Sequence, residues 1–298
     1  MTAAGPSLET SGLVKRYGGV LALAGVDLRV PEGSVCGLVG PNGAGKTTLL
    51  AILAGLRRPT AGTVRIAADR RGVAILPDTP QFDPWLSARE VVDLARALVA
   101  PGLPHGRVDE VLADAGLADD ADRRVGGFSR GMLQRLGLAA TVVGRPQVLL
   151  LDEPCSALDP AGSREVLDLV ARLAGSATIV LSTHILADVQ QVCDRVAVLR
   201  AGTLLFQGPL DELLIGRAAP AYVVRLRPPV EPVERALAAE PWVTGIERMG
   251  AAELRVEARS LEEAQRGLVR ALTAAGAAVV AVEPAAADLE RVFLEVTA

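Results

Sequence analysis

Lysine is nearly missing from this chain of 298 residues: only Lys15 and Lys46 occur, and the rest of the positive charge is arginine. Aromatic residues make up 3%, against 50% hydrophobic residues overall, so the core must be Leu, Val and Ala. No run of about 20 apolar residues occurs, so no membrane-spanning helix is expected. The mean hydropathy of +0.33 comes instead from dispersed alanines and valines. The first residues, from Met1 to Pro6, lack the basic–apolar–small pattern of a secretory signal, and none is expected. The three cysteines, Cys36, Cys155 and Cys193, are scattered without C-x-x-C spacing. They read as free buried thiols in a reducing cytoplasm rather than a disulfide framework or zinc site. Nor is there a basic excess. The net charge is −4 and the pI about 5.4, which disfavours a nucleic-acid surface built on a clustered basic face. The length suits one large domain, or one large and one small.

What is present is organised around Gly40, Pro41, Asn42, Gly43, Ala44, Gly45, Lys46, Thr47 and Thr48. An apolar run at 35–39 precedes this stretch and a helix-like run at 49–54 follows it. The order is strand, glycine-rich turn, helix, and it fits G-x-x-x-x-G-K-[ST], the phosphate-binding loop. The glycines let backbone N–H groups turn inward around an anion, and the helix aims its positive end there. Lys46 would reach the β- and γ-phosphates, and Thr47 would offer a hydroxyl to Mg²⁺. With lysine so rare, residue frequencies give about 0.002 accidental matches.

Along the chain, strands are expected at 8–14 and 21–30, with a basic turn between them that carries Tyr17. An aromatic ahead of a phosphate loop reads as a stacking platform for adenine. Short strands at 63–67 and 72–76 follow. The proline-rich stretch 77–84 excludes regular structure. A largely helical segment then spans 87–144. It opens on the capping box Ser87/Glu90 and holds a second helix at 107–115. Ser129 stands where a further helix would be N-capped. Strand 147–152, helix 161–174, strand 177–181, a helix ending at 194 and a hairpin at 195–199 and 203–207 complete an alternating α/β pattern. Such alternation indicates a mainly parallel sheet. After a linker at 217–221, the elements 222–227, 233–239, 243–248, 253–258, 261–275 and 277–282 read β-α-β-β-α-β, the ferredoxin-like order. A last helix at 287–296 places Leu289, Val292, Phe293 and Val296 on one stripe, which would pack on this small domain.

The second half of the chemistry is the apolar strand at 148–151 that ends in Asp152 and Glu153. Asp152 would emerge at the C-terminal edge of the sheet, where ligands sit in open α/β folds, and could hold Mg²⁺ through water. Glu153 beside it is suited to orient an attacking water.

With these residues the chain resembles the ATPase subunits of ABC transporters over roughly residues 8–216. Tyr17 matches the family's adenine-stacking aromatic, and Gly40 to Thr48 its phosphate loop. Phe128, Ser129, Arg130, Gly131 and Met132 stand at the signature. Asp152 and Glu153 match the Walker B aspartate and catalytic glutamate. Ser156, Ala157, Leu158 and Asp159 match the D-loop, and His184 the switch histidine. The resemblance implies a P-loop NTPase fold at 1–216 with a helical subdomain near 87–144, and an accessory α/β domain at 217–298. It implies ATP and Mg²⁺ as ligands. It also implies a head-to-tail homodimer or heterodimer in which each ATP meets one copy's phosphate loop and the other's signature. Ser129 at a helix N-terminus, preceded by Gly126 and Gly127, is itself an anion-binding arrangement.

Two departures are visible. Arg130 and Met132 replace a glycine and a glutamine of the signature, while Ser129 and Gly131 are kept. This variant resembles the branch serving drug, polysaccharide and ion exporters, as does the closing segment from Leu289 to Thr297. At the Q-loop, which usually faces the permease, Asp78 stands where Gln or Glu is usual, and Gln81 is the other candidate. Asp78 would touch the nucleotide or Mg²⁺. The resulting expectation is an ATP-hydrolysing subunit that energises a membrane exporter. It would lie in the cytoplasm on the inner face of the cell membrane and pair with an integral permease, with no nucleic-acid partner. The alternatives are an importer ATPase, or a soluble ABC-type ATPase acting on nucleic acid or ribosomes. The latter is disfavoured by a single phosphate loop, the absence of a heptad run and the acidic pI. A P-loop kinase would leave the segments at 128–132 and 156–159 unexplained.

Overall fold

A computed structural model of the chain describes residues 6–156, 158–214 and 220–284. It divides into two compact units between Leu210 and Asp211. The first unit opens with β1 (Pro6–Tyr17), β2 (Val20–Val26) and β3 (Arg29–Pro31). The single strand expected at 21–30 is thus two strands. The hydroxyl of Thr10 explains the break. It donates to the Val26 carbonyl at 2.8 Å and accepts from the Leu28 N–H at 2.9 Å, filling the ladder where the chain turns. Next come β4 (Val35–Val39), α1 (Lys46–Leu53), β5 (Ala61–Ile66) and β6 (Val73–Leu76). Strand β6 starts one residue later than expected, because Asp69 captures the N–H groups of Arg71 and Gly72 in a short turn. β1 pairs antiparallel with β2, β3 and β5, forming a sheet of its own.

Residues 77–86 hold no helix or strand. The helices α2 (Ala88–Val99), α3 (Gly106–Asp114) and α4 (Arg130–Val142) follow and pack on one another. The expected capping box is formed: Glu90 N–H donates to Ser87 Oγ at 3.2 Å, and Ser87 N–H to Glu90 Oε2 at 2.7 Å. Ser129 caps α4 through the Met132 N–H.

The central sheet is completed by β7 (Val148–Asp152), α5 (Pro160–Leu173), β8 (Thr178–Thr183), α6 (Leu186–Val192), β9 (Arg195–Arg200) and β10 (Thr203–Pro209). Its order is β10-β9-β4-β8-β7-β6, parallel from β9 to β6, with β10 antiparallel at the edge. Strands β4, β7 and β8 are buried at every residue, as strands covered on both faces must be. The core joins Leu38, Leu150 and Val180 of this sheet to Leu49 and Leu50 of α1 and to Leu8 and Leu23 of the antiparallel sheet. Each such buried side chain contributes about 1.5–3 kcal/mol. Register fixes the functional edge, because Val39 lies opposite Thr183 and Asp152 opposite Ser182. The residues after β4, β7 and β8 therefore leave the sheet side by side.

A short helix, α7 (Leu210–Leu214), spans the division. The second unit has β11 (Ala221–Leu226), α8 (Glu231–Ala238), β12 (Val243–Gly250), β13 (Glu253–Ala258), α9 (Leu261–Ala274) and β14 (Val279–Pro284). The strand order β12-β13-β11-β14, all antiparallel, is that of a ferredoxin-like sheet. Strand β14 begins two residues after the expected 277, because Ala277 N–H closes the end of α9 on the Leu272 carbonyl. Trp242 lies in the core of this unit against α9, where a Cβ on Gly267 would sit 2.5 Å from its indole nitrogen. The helix expected at 287–296, the closing segment from Leu289 to Thr297, and residues 217–219 of the expected linker lie outside the described residues. Among the described residues, no helix is long and apolar enough to cross a membrane.

Candidate functional site

The loop between β4 and α1 is shaped by contacts that exclude side chains. A Cβ on Gly45 would lie 2.7 Å from the Ala22 carbonyl oxygen and 2.9 Å from Leu23, and the residue has φ 108°. Gly40 is pressed in the same way onto the Leu199 carbonyl. The loop therefore sits down on β2 and on the end of β9, and only glycine fits at these points. Helix α1 starts from Gly45 with no side chain capping its N-terminus, as is also true of α3, α6 and α8, whereas Ser87, Ser129, Asp159 and Ser260 cap α2, α4, α5 and α9. Its first-turn N–H groups are left for an external acceptor. Ala44 is buried; Pro41, Asn42, Gly43 and Thr47 are exposed, and Thr48 is half-buried.

Lys46 is 6% exposed. Its ammonium donates to the Gly40 carbonyl at 2.7 Å and to the Pro41 carbonyl at 3.4 Å. It also lies 3.2 Å from Glu153 Oε1, close enough to pair charges but outside hydrogen-bond geometry. Glu153 Oε2 is 2.8 Å from His184 Nδ1. An ionised carboxylate only accepts, so that nitrogen carries the proton. Lys46, Glu153 and His184, 107 and 31 residues apart in sequence, thus form one chain of contacts across the ends of β4, β7 and β8.

Two backbone features hold this chain. Glu153 has φ 48°, unusual for a residue with a side chain, and its N–H donates to both the Ser182 hydroxyl (3.0 Å) and the Ser182 carbonyl (3.1 Å). The Ser182 hydroxyl in turn donates to Asp152 Oδ1 at 2.6 Å, in full burial. Ser182 and Asp188 are the residues that sequence reasoning missed. Nothing in the order Ser182, Thr183, His184 shows that β8 runs in register with β7, and that register brings Ser182 against Asp152. Asp188, on α6, is buried beside Thr183 and Cys155. Burial holds its carboxyl above the ordinary range, and the nearby Glu153 charge adds to the rise.

The remaining sequence-derived residues fall around this edge. Tyr17 ends β1, 42% exposed, with the Lys15 ammonium 4.9 Å from its ring centroid. Asp78, after β6, accepts a hydrogen bond from the Ser156 hydroxyl at 2.8 Å. Gln81 lies elsewhere, in a mainly apolar groove of about 430 Å³ lined also by Leu76, Pro80, Phe82, Val99 and Ala140. Ser129, Arg130, Gly131 and Met132 share a second hollow of about 500 Å³ with Leu158 and Asp159, and no phosphate-loop residue lines it. Phe128 is half-buried with the Arg123 guanidinium over its ring. Asp159 caps α5 through the Gly162 N–H, and Ala157 lies outside the described residues. The three cysteines are free and buried. Burial pushes Cys36 and Cys155 up to about 12 and Cys193 higher still, so none is a nucleophile at neutral pH. Among the described residues no three His, Cys, Asp or Glu side chains cluster as a metal cage. A cation at this edge would rely on a hydroxyl, a carboxylate and the oxygens of a bound anion.

The family described as ABC transporter matches residues 23–156. An uncharacterised ABC transporter ATP-binding protein of Bacillus subtilis, YxlF, is 36% identical, covering 97% of this chain and 99% of that protein. The daunorubicin resistance ATP-binding protein DrrA3 of Streptomyces coeruleorubidus is 36% identical, covering 98% and 96%. The aliphatic sulfonates import ATP-binding protein SsuB 1 of Mesorhizobium japonicum is 39% identical over 65% of this chain and 75% of its own. Among solved structures, the dimeric ATP-binding cassette MJ0796, in a post-hydrolysis state bound to ADP and Pi, is 26% identical with a TM-score of 0.64. It covers 68% of this chain and 98% of that one.

Proposed function

The chain belongs to the ATP-binding proteins of ABC transporters, ATP-hydrolysing subunits that dimerise and serve membrane permeases, and on that premise we propose that a pair of such chains drives an exporter. The observation that carries the site assignment is the uncapped N-terminus of α1 above the buried Lys46, paired with Glu153 and His184 on the same sheet edge. In this reading Gly40 to Thr48 wrap the phosphates, and Lys46 exchanges its carbonyl contacts for the β- and γ-phosphate oxygens. Glu153 orients the water that attacks the γ-phosphorus, and His184 contacts the γ-phosphate while its Nδ1–H keeps Glu153 in place. Tyr17 stacks on the adenine.

The residues present suit Mg²⁺: Thr47 offers an exposed hydroxyl and Asp152 a carboxylate held by Ser182. Its charge would neutralise phosphate oxygens during transfer. Ser129 and Gly131 line a hollow separate from the phosphate loop, which supports their service to the ATP of the other copy. Two copies then close on two ATP molecules, and hydrolysis lets them part. In this reading the groove lined by Gln81 receives the permease, and the chain works on the cytoplasmic side of the membrane. Residues 1–216 would form the ATPase domain, and 217–298 an accessory domain.

Export rather than import rests on the signature variant Arg130/Met132 and on the drug-resistance relative. The test is to purify the tagged chain from gently extracted membranes, reconstitute it with its copurifying permease, and follow transport in vesicles with ATP supplied on the subunit's side. Movement of cargo away from the ATP side supports export, and movement toward it means import. Recovery of ribosomes or nucleic acid in place of a permease would overturn the transporter reading.

A further inference from the structure

Strands β6 and β7 pair in parallel with Leu76 opposite Leu151, so the segments after them leave the sheet together. Asp78 follows β6 by two residues, and Ser156 follows β7 by four. Their side chains meet at 2.8 Å, with the Ser156 hydroxyl donating to Asp78 Oδ1. Each partner is anchored elsewhere. The loop of Asp78 is braced on α4, where a Cβ on Gly137 would lie 2.7 Å from Leu76 and 3.0 Å from Pro80. The Ser156 N–H closes a turn onto the Glu153 carbonyl at 3.1 Å, and Leu158, two residues on, packs against Gly131 of the signature segment. The carboxylate of Asp78 therefore ties the helical part of the unit to the turn that carries Glu153 and to the segment that touches the signature.

We propose that Asp78 is a positioning residue that acts through Ser156, holding the segment after Glu153 in place. The short side chain suits this role. One further methylene would push the carboxylate about 1.5 Å deeper, into the space of Ser156. An aspartate fits the distance to its hydroxyl partner. Its charge is not what Ser156 needs, because an amide oxygen accepts the same proton.

The inference rests on the chain being an ATPase, and the experiment separates the two. Steady-state ATP turnover of the full chain is measured for wild type, Asp78→Ala, Ser156→Ala, the double variant, Asp78→Asn and Asp78→Glu, with ATP and Mg²⁺ each titrated. Absent wild-type turnover would defeat the ATPase reading itself. The inference expects Asp78→Ala and Ser156→Ala each to lower kcat about tenfold, the factor that 1.4 kcal/mol of barrier represents, with KM and the Mg²⁺ requirement little changed. The double variant should be no worse than either single one. Asp78→Asn should restore most of kcat, and Asp78→Glu should not. The inference is overturned if Ser156→Ala is silent, if the two losses multiply, or if Asp78→Asn is as impaired as Asp78→Ala and needs more Mg²⁺. Thermal melts of the variants show whether a loss of kcat is a loss of fold. Asp78→Asn, which keeps both shape and acceptor, decides the matter if the alanine variants melt early.

Discussion

Replacing Ser182 by alanine removes a single oxygen from the fully buried end of β8, and the consequences follow from its bonds. That oxygen donates to Asp152 Oδ1 at 2.6 Å and accepts from the Glu153 N–H at 3.0 Å. The Glu153 N–H keeps a second acceptor, the Ser182 carbonyl at 3.1 Å, so the turn at Glu153 stays anchored. Asp152 has no such reserve at Oδ1. A hydrogen bond to a charged group, once lost in burial, costs about 1.5–3 kcal/mol. In a chain of this size each kcal/mol moves the melting midpoint by about 2–4 °C. Ser182→Ala should therefore lower Tm by about 3–12 °C. Turnover should fall about tenfold because Asp152 is no longer held, while Glu153 and His184 remain in place. Circular dichroism melts and steady-state ATPase assays read the two effects separately. A variant that melts within 1 °C of wild type and turns over normally would refute the role given to this hydroxyl.

Two further predictions rest on other parts of the fold. Asp188 has its carboxyl held above the ordinary range by burial, so its stabilising contribution is full below that range and is lost as pH rises through the raised value. Asp188→Asn should accordingly match wild type in acid and gain stability relative to it toward neutral pH. Urea titrations at a series of pH values check this, and a difference that is constant with pH would contradict it. In the second unit Gly267→Ala ought to stabilise α9 by about 1 kcal/mol on helix propensity alone. A methyl there would meet the Trp242 indole at 2.5–3.0 Å, and such overpacking costs about 1–3 kcal/mol. The variant should be net destabilised with a red-shifted Trp242 emission; a higher midpoint for this unit would show the ring can step aside.

The elements set by local chemistry were legible in the sequence. The capping box at Ser87, the cap at Ser129, the hairpin turning at Ala201 and Gly202 and the run from Val35 through the glycines to α1 each depend on neighbours within a few residues. Features set by distant pairing were not. The separate antiparallel sheet depends on β1 meeting β5 some fifty residues away, and the break between β2 and β3 depends on the Thr10 hydroxyl reaching across. The same holds at the site. Lys46, Asp152, Glu153 and His184 could be read from motif order, whereas the contacts of Ser182 with Asp152 and of Ser156 with Asp78 arise from the parallel register of β7 with β8 and β6. No spacing along the chain encodes them.

The central claim is that each ATP site is completed by a second copy, with Lys46 from one chain and Ser129 from the other. Glu153→Gln keeps the shape of the site while removing the carboxylate that orients water, so ATP should bind and persist. Size-exclusion chromatography of this variant with saturating Mg-ATP should show a dimer that is absent with ADP. Adding Ser129→Arg, which fills the signature hollow and leaves the phosphate loop untouched, should return it to monomer while ATP still binds. A Glu153→Gln protein that stays monomeric with ATP bound, or a dimer indifferent to Ser129→Arg, would contradict the claim.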